Sequence, residues 1–463
     1  MGYKIQMIAP TSFFADTGCH VRILEEIWSL QDAGHDVTVC TYHMGNDIEG
    51  VRVKRSLDVP WHKGVQVGSS RHKLYFDAML TLKSIQVAWQ EKPDIIHAHL
   101  HEGALIGFPL KWILRRGKAP LIFDYQGSMT SEMLDHHFLR KNGPFYKPAV
   151  AIEKLINRMP DRIITSTHNA ANVLHKKFNA PDDLVVTISD RVNPTRFRPA
   201  ETADERAETA KLRRQLGIAP DRKVVVYLGL LAPYQGTNVL LEAAQMLKTE
   251  MPEAFFVIMG YPGVESYSRL AESLGLQDRV IFPGRIPYEQ AARYLRLGDI
   301  AVAPKMSETE GAGKITNYMA MGLPVVCFDT PVSRELLGDL GVYAELGSAR
   351  ALADQIKNLL ADEARRHELS RQLRAKAVRE MGWDGALREL EEVYRQTLQG
   401  KQAKKAASQP SFAADSGRDH PEGEQAWGKP LLHLGVAADS GHDCYKEPEG
   451  PEEVKEEIYL GED

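Results

Sequence analysis

The feature that most limits the fold is a rhythm. Short, continuously apolar runs alternate with stretches of helical spacing, and the series runs twice. Apolar runs begin at Tyr3–Ala9 and recur at Asp36–Tyr42, Val51–Arg55, Asp94–Ala98, Pro120–Asp124, Arg162–Ser166 and Leu184–Ile188. Helical spacing fills the gaps at Val21–Ala33, Leu74–Gln90, Ala104–Arg116, Val150–Arg158 and Ala170–Phe178. A strand that is apolar at every position is buried on both faces, which marks a parallel sheet between two helix layers. The series stops at Ala200–Gln215, a charged stretch bracketed by Pro199 and Pro220 that reads as a connector with a surface helix. It then resumes, with strands at Lys223–Gly229, Ala254–Gly260, Val280–Phe282, Ile300–Ala303 and Pro324–Phe328, and a helical stretch from Glu363 to Leu398. The expectation is two doubly wound α/β domains, at 1–199 and 200–379, with a helix at 380–398 returning to complete the first. The crevice between them, at the carboxyl ends of the strands, is the default ligand site.

Charge and cysteine usage narrow the function. The net charge of −5 sits in the tail: from Gly400 onward there are 7 Lys/Arg against 14 Asp/Glu, which leaves the body at +2. A near-neutral body gives no electrostatic case for nucleic acid as a partner. The tail, 400–463, is acidic and poor in apolar residues, with an imperfect repeat (AADSGRDH at 413, AADSGHDC at 437), and is expected to be disordered. No apolar run is long enough to span a bilayer. The opening MGYKIQMIAP does not read as a signal peptide, and Gln6 spoils a myristoylation context. Cys19, Cys40, Cys327 and Cys444 are far apart, so neither a disulfide framework nor a structural zinc site is expected, and the compartment reads as cytoplasm. In Leu110–Lys118, Trp112 stands among Lys111, Arg115, Arg116 and Lys118. That suits peripheral contact with an anionic membrane, or equally a core helix with a solvated basic end.

The chemistry concentrates in Ala303–Val326, APKMSETEGAGKITNYMAMGLPVV. Glu308 and Glu310 lie in a loop after a strand, and Gly311 and Gly313 open a helix. A helix N-terminus offers unpaired N–H groups and the positive end of the dipole, which suit a phosphate. Lys314 in the first turn opposes that dipole. An anion held there would account for it, and so would a solvated lysine.

This segment resembles the retaining glycosyltransferases of family 4, which have the GT-B fold of two Rossmann-like domains facing a central cleft. Their loop reads Glu-Gly-x-Gly, as at Glu310–Gly313, and their helix ends like Met319–Val326. Further matches are Lys92–His99 (KPDIIHAH), Gly34–Val39 (GHDVTV) and Trp383–Tyr394 (WDGALRELEEVY), so the resemblance covers most of residues 1–398. It implies a nucleoside-diphosphate sugar as donor substrate, with no separate cofactor and no metal. The acceptor would be the hydroxyl of a saccharide, a lipid-linked glycan or a small molecule. In the family two glutamates hold the donor sugar and the ribose. Here Asn317 stands in the second one's place, and Glu308 competes with Glu310 for the first.

Two departures follow. The family opens its second domain with Gly-Arg-Leu-x-Pro-x-Lys-Gly, whose cations grip the diphosphate. This chain has Gly229-Leu230-Leu231-Ala232-Pro233-Tyr234-Gln235-Gly236. Arg191, Lys305 and Lys314 are the candidate replacements, beside the backbone of Gly18, Gly229, Gly236, Gly311 and Gly313. Arg191 can equally salt-bridge a neighbour. Where the family places a histidine after the fourth strand of the first domain, this chain has Asp124-Tyr125-Gln126, which makes Gln126 and Asp124 candidates to orient the acceptor. His97, His99 and His101 alternate along a strand end and read as packing rather than as zinc ligands, and Cys19 reads as a packing residue. The leading expectation is glycosyl transfer. A sugar-nucleotide epimerase, a transferase using a lipid-phosphate sugar, and a non-catalytic sugar-nucleotide-binding protein on the same fold are the alternatives.

Overall fold

A computed structural model describes residues 2–58, 73–113, 119–135, 138–307 and 310–408, with side chains as far as Lys401. Glu308, the basic residues Arg115, Arg116 and Lys118, and the acidic tail beyond 408 lie outside the described residues.

The first apolar series forms seven parallel strands: β1 (Lys4–Ala9), β2 (Asp36–Thr41), β3 (Arg52–Arg55), β4 (Ile95–His99), β5 (Leu121–Tyr125), β6 (Arg162–Thr165) and β7 (Val185–Thr187). They lie in the order β3-β2-β1-β4-β5-β6-β7. The helices between them are α1 (Gly18–Asp32), α2 (Lys73–Glu91), α3 (Leu100–Ile113), α4 (Met129–Asp135), α5 (Tyr146–Ile156) and α6 (His168–Phe178). The connector carries α7 (Ala203–Gln215), started by a capping box between Thr202 and Glu205. The second series gives β8 (Lys223–Leu228), β9 (Ala254–Met259), β10 (Val280–Gly284), β11 (Ile300–Ala303), β12 (Val325–Phe328) and β13 (Val342–Ala344), in the order β10-β9-β8-β11-β12-β13. Its helices are α8 (Thr237–Glu250), α9 (Val264–Ser273), α10 (Tyr288–Leu295), α11 (Gly313–Ala320), α12 (Pro331–Leu337) and α13 (Ala349–Ala361), followed by α14 (Glu363–Glu380) and α15 (Trp383–Ser408).

Strands β1, β4 and β9 are buried along nearly their whole length, as continuous apolar runs require. Each sheet reverses its strand order once, between β1 and β4 and between β8 and β11. The loops leaving those strands diverge there and open a crevice.

Three elements were not expected. Helices α4 and α12 and strand β13 span only three to seven residues, too few to show a period. The helical stretch expected from Glu363, with its returning helix from 380, is two helices. Helix α14 ends at Met381, whose carbonyl accepts from Val192 N, and the chain turns at Gly382 before α15. Helix α15 then packs on α1, with the buried Tyr394 hydroxyl 2.6 Å from His97 Nδ1. Among the described residues no helix is long and apolar enough to cross a membrane.

Candidate active site

The strand-order reversals of both sheets open into one cleft of about 730 Å³. On the second-half side, β8 runs out into Gly229 and the turn Pro233–Gln235, while β11 runs out into Lys305 and the glycine loop before α11. Gly236 has φ +76°, and a Cβ there would stand 1.9 Å from Pro304 O, so only glycine lets these two loops close on each other. The capping position of α11, Ala312, supplies no side-chain oxygen, and Ala312, Gly313 and Lys314 line the cleft, so the N-terminus of this helix borders it.

Lys314 is the cation of this wall. Its Nζ donates to Gln235 Oε1 at 2.8 Å, lies 3.3 Å from Tyr227 Oη, and sits 4.5 Å from the centre of the Tyr227 ring. A Cβ at Gly229 would be 2.7 Å from that ammonium. The ammonium therefore occupies the space between Gly229 and Gln235, although its backbone is on a different loop. Burial, then the nearby Lys305, push its pKa down to about 7, against the pull of Glu310. Lys305 has other work: its Nζ is 2.5 Å from Glu310 Oε2 and 2.8 Å from Gly311 O, so it braces the acidic loop from behind.

On the first-half side the wall is built on Arg22, at the start of α1. Its Nε and Nη2 each donate at 3.0 Å to one oxygen of Asp124, and its Nη1 donates at 3.0 Å to Asp190 Oδ1. Asp124 also receives Gln126 Nε2 at 3.1 Å and lies 3.0 Å from His99 Nδ1. Burial works to raise the Asp124 carboxyl, but Arg22 and His99 outweigh it and hold it well below the usual carboxylate range. Asp190 faces the glycine loop, since a Cβ at Gly311 would be 2.8 Å from its Oδ2, and burial raises its pKa despite Arg22. Behind Asp124, His97 and His99 stack with ring centres 4.7 Å apart, and Glu26 lies 3.4 Å from His97. Burial pushes Glu26 up to about 7 and His97 well down. Glu26, His97, His99 and Asp124 offer ligand atoms within 4.8 Å of one another, the one such buried set among the described residues. The Arg22 guanidinium already supplies a positive charge to it.

Gly18, Gln126, Arg191, Gly229, Gln235, Lys305, Glu310, Gly311, Gly313, Lys314 and Asn317 all line the cleft. Three sequence expectations change. Asp124 does not reach an acceptor: it is fully buried, and both of its oxygens are taken by Arg22. Arg191 lines the cleft, but its guanidinium turns away to Glu380 O at 2.6 Å and Glu389 Oε2 at 3.3 Å. His101 is not on the strand with its neighbours; it opens α3, with Nε2 3.5 Å from Glu153. The Cys19 thiol is pushed up to about 12 by burial, then by Asp124, which keeps it protonated.

Residues the sequence reading passed over complete the cleft. Glu132 of α4 faces Glu310, and burial followed by that carboxylate pushes it up to about 7. Lys73 and Glu102 pair at 2.5 Å at the first-half end. Asp16 holds Arg285 at 2.6 Å and Tyr288 N at 2.9 Å, and Tyr261 Oη donates to Ala15 O, so the loop after β1 is tied to the second half.

Comparison with known proteins agrees with this geometry. Residues 17–190 match the family described as glycosyl transferase 4-like domain, and residues 208–376 match glycosyl transferases group 1. A D-inositol 3-phosphate glycosyltransferase of Thermobispora bispora is 25% identical over 403 residues, which is 82% of this chain and 90% of that protein. Among solved structures, a sucrose-phosphate synthase from Thermosynechococcus elongatus is similar with a TM-score of 0.72 at 19% identity, over 86% of this chain and all of that one. HepE of Anabaena, solved with UDP-glucose, is similar with a TM-score of 0.67 at 17% identity, over 85% of this chain and all of that one. At those identities the structures speak for the GT-B fold alone. With a matching family in each half and a glycosyltransferase relative along most of its length, the chain belongs to the group 1 glycosyltransferases and is a glycosyltransferase of GT-B fold.

Proposed function

We propose that the chain transfers a sugar, with retention and without a metal, from a nucleoside-diphosphate sugar to an acceptor hydroxyl. The observation that carries this reading is the Lys314 ammonium, set between Gly229 and Gln235 and beside the N-terminus of α11. A diphosphate fits a half-buried cation beside a helix N-terminus. The reading takes residues 200–379 as the donor domain and residues 1–199 as the acceptor domain. HepE, a protein of the same fold solved with UDP-glucose, makes UDP-glucose the first donor to try.

In this reading Glu310 and Asn317 hold the sugar and the ribose, and Gln126, anchored by Asp124, faces the acceptor side. The bond from the anomeric carbon to the leaving phosphate breaks, and the acceptor oxygen bonds to that carbon on the same face. The acceptor's proton passes to the departing phosphate oxygen. The protein's part is then to position the reactants and to stabilise the growing phosphate charge through Lys314 and the α11 N-terminus. The ties between Asp16 and Arg285 close the loop after β1 over the cleft, which excludes water and protects the donor from hydrolysis. The described cysteines are free thiols, which fits a cytoplasmic site of action.

The test is product analysis over a panel of nucleotide sugars with chelator present. A glycoside of unchanged anomeric configuration is expected. Epimerised donor, inverted product, or turnover abolished by chelator would each refute the part it addresses.

A pH signature follows from Lys314. Its pKa near 7 in the free protein must rise when a diphosphate arrives, so binding takes up a proton. Affinity for a nucleotide sugar is expected to be flat below pH 6 and to fall above pH 7, by up to about tenfold per unit. A nucleotide sugar has no ionisation of its own diphosphate near neutrality. Calorimetry in two buffers of different ionisation enthalpy measures the proton taken up, and Lys314→Met is expected to reduce it, leaving the share of Glu132.

A further inference from the structure

Fourteen large apolar side chains are exposed among the described residues, and eleven of them fall between Leu74 and Leu155. Nine of these are on helices α2, α3 and α5. Helices α2, α3 and α5 all follow crossovers that step the same way along the sheet, toward β4, β5 and β6 in turn. Right-handed crossovers place such helices on the same face, and α2 touches α3, which touches α5. Each helix exposes large apolar side chains where a solvated helix is mostly polar: Leu82 and Trp89 on α2, with Gln86 between them, Trp112 and Ile113 on α3, Ile152 and Leu155 on α5.

The exposed charge in this stretch of chain has one sign. Among the described residues from 73 to 160, Lys92, Arg140, Lys141, Lys147 and Arg158 are exposed, while every Asp and Glu is buried or half-buried. The patch also runs into the cleft, because Leu74, Met129, Met133 and Phe138 line its first-half mouth.

We propose that this face docks on an anionic lipid bilayer, with the mouth of the cleft opening at the lipid surface. Exposed apolar side chains among cations, with exposed carboxylates absent from this stretch, complement anionic headgroups over an acyl layer. A twofold pairing of two copies through the same face would set its cations against themselves, which disfavours a second copy as the occupant. The docking goes beyond the transfer reading above and is tested independently of it.

The full chain is floated with vesicles of phosphatidylcholine alone and with vesicles containing 30% phosphatidylglycerol. Flotation with the anionic vesicles only, weakened by raising salt from 0.1 to 0.5 M, is the expected result. The variant Trp89→Ser/Trp112→Ser/Ile152→Ser is expected to lose at least tenfold in vesicle partition. Its melting temperature and nucleotide-sugar affinity should not change, because the three side chains are exposed and outside the cleft. Absence of flotation with anionic vesicles, undiminished flotation of the variant, or a concentration-dependent dimer that the variant abolishes would each overturn the proposal. Loss of donor binding in the wild-type chain would instead strike the transfer reading and leave the docking result standing.

Discussion

Lys314→Gln is expected to weaken nucleotide-sugar binding by about 10- to 150-fold, and adding Gln235→Lys is expected to restore most of it. The family motif puts a lysine at position 235, whereas this chain has a glutamine there and a lysine at 314. The two side chains nevertheless meet, with Lys314 Nζ 2.8 Å from Gln235 Oε1. A positive charge is therefore delivered to one place from either of two loops, and the double variant returns it to the other loop. A hydrogen bond to a charged group contributes ~1.5–3 kcal/mol, which sets the range of the single-variant loss. The free protein responds with the opposite sign. Because the folded-state pKa of Lys314 lies below its unfolded value, the ammonium costs the native state stability below pH 7, and that cost fades as pH rises toward the ordinary lysine range. At pH 6 the unliganded Lys314→Gln protein should therefore melt no lower than the wild type, while its donor-induced rise in melting temperature shrinks. Calorimetry and thermal melts with and without donor measure both. Undiminished binding in the single variant, or no recovery in the double one, ends the argument for a relocated charge.

How much of this was legible from the sequence depends on the range over which each residue acts. The strands announced themselves because burial on both faces leaves a local record, as in KVVVY and AFFVIM. Lys314 stood out because a lysine in the first turn of a helix contradicts the local dipole. Arg22 left a fainter trace. It sits between Val21 and Ile23 in an amphipathic stretch and reads as a surface residue, while its partners are 102 and 168 residues away. The available signal was period: Glu25 and Glu26, three and four residues on, fall among the apolar positions of α1 and are buried, so the helix carries ionisable groups on its inner face. Asp124 was misassigned for a related reason. The end of a parallel strand usually borders the ligand, but β5 pairs Asp124 with His99 of β4, and Arg22 closes over it from α1. Arg191 keeps two readings in the sequence because Glu380 and Glu389, which claim it, come from the far end of the chain.

The same network supplies the largest effect on stability. Arg22→Met is expected to destabilise the fold by about 3–5 kcal/mol, because it strips the cation from the buried Asp124 and the half-buried Asp190 at once. For a unit of the first half's size each kcal/mol moves the melting temperature by roughly 2–4 °C, so a fall of roughly 6–20 °C is expected. Arg22→Lys should recover only part of this, since a single ammonium cannot bridge three carboxylate oxygens as the guanidinium does. The loss has a pH dependence fixed by Asp124. Its folded-state pKa is depressed, so the stability it contributes through Arg22 is fully present above the unfolded carboxyl value near 4 and is lost as pH falls below it. The gap between wild type and Arg22→Met should therefore be widest at pH 6–7 and should narrow below pH 4. Asp190 behaves differently. Its pKa is raised, so its charge is a net cost in place, and Asp190→Asn alone should be close to neutral for stability. Urea denaturation of the three variants at pH 7 and pH 4 separates these contributions. If Arg22→Met unfolds with the wild-type midpoint at pH 7, Arg22 is not what holds Asp124 charged, and Gln126 loses the anchor that aims it at the acceptor.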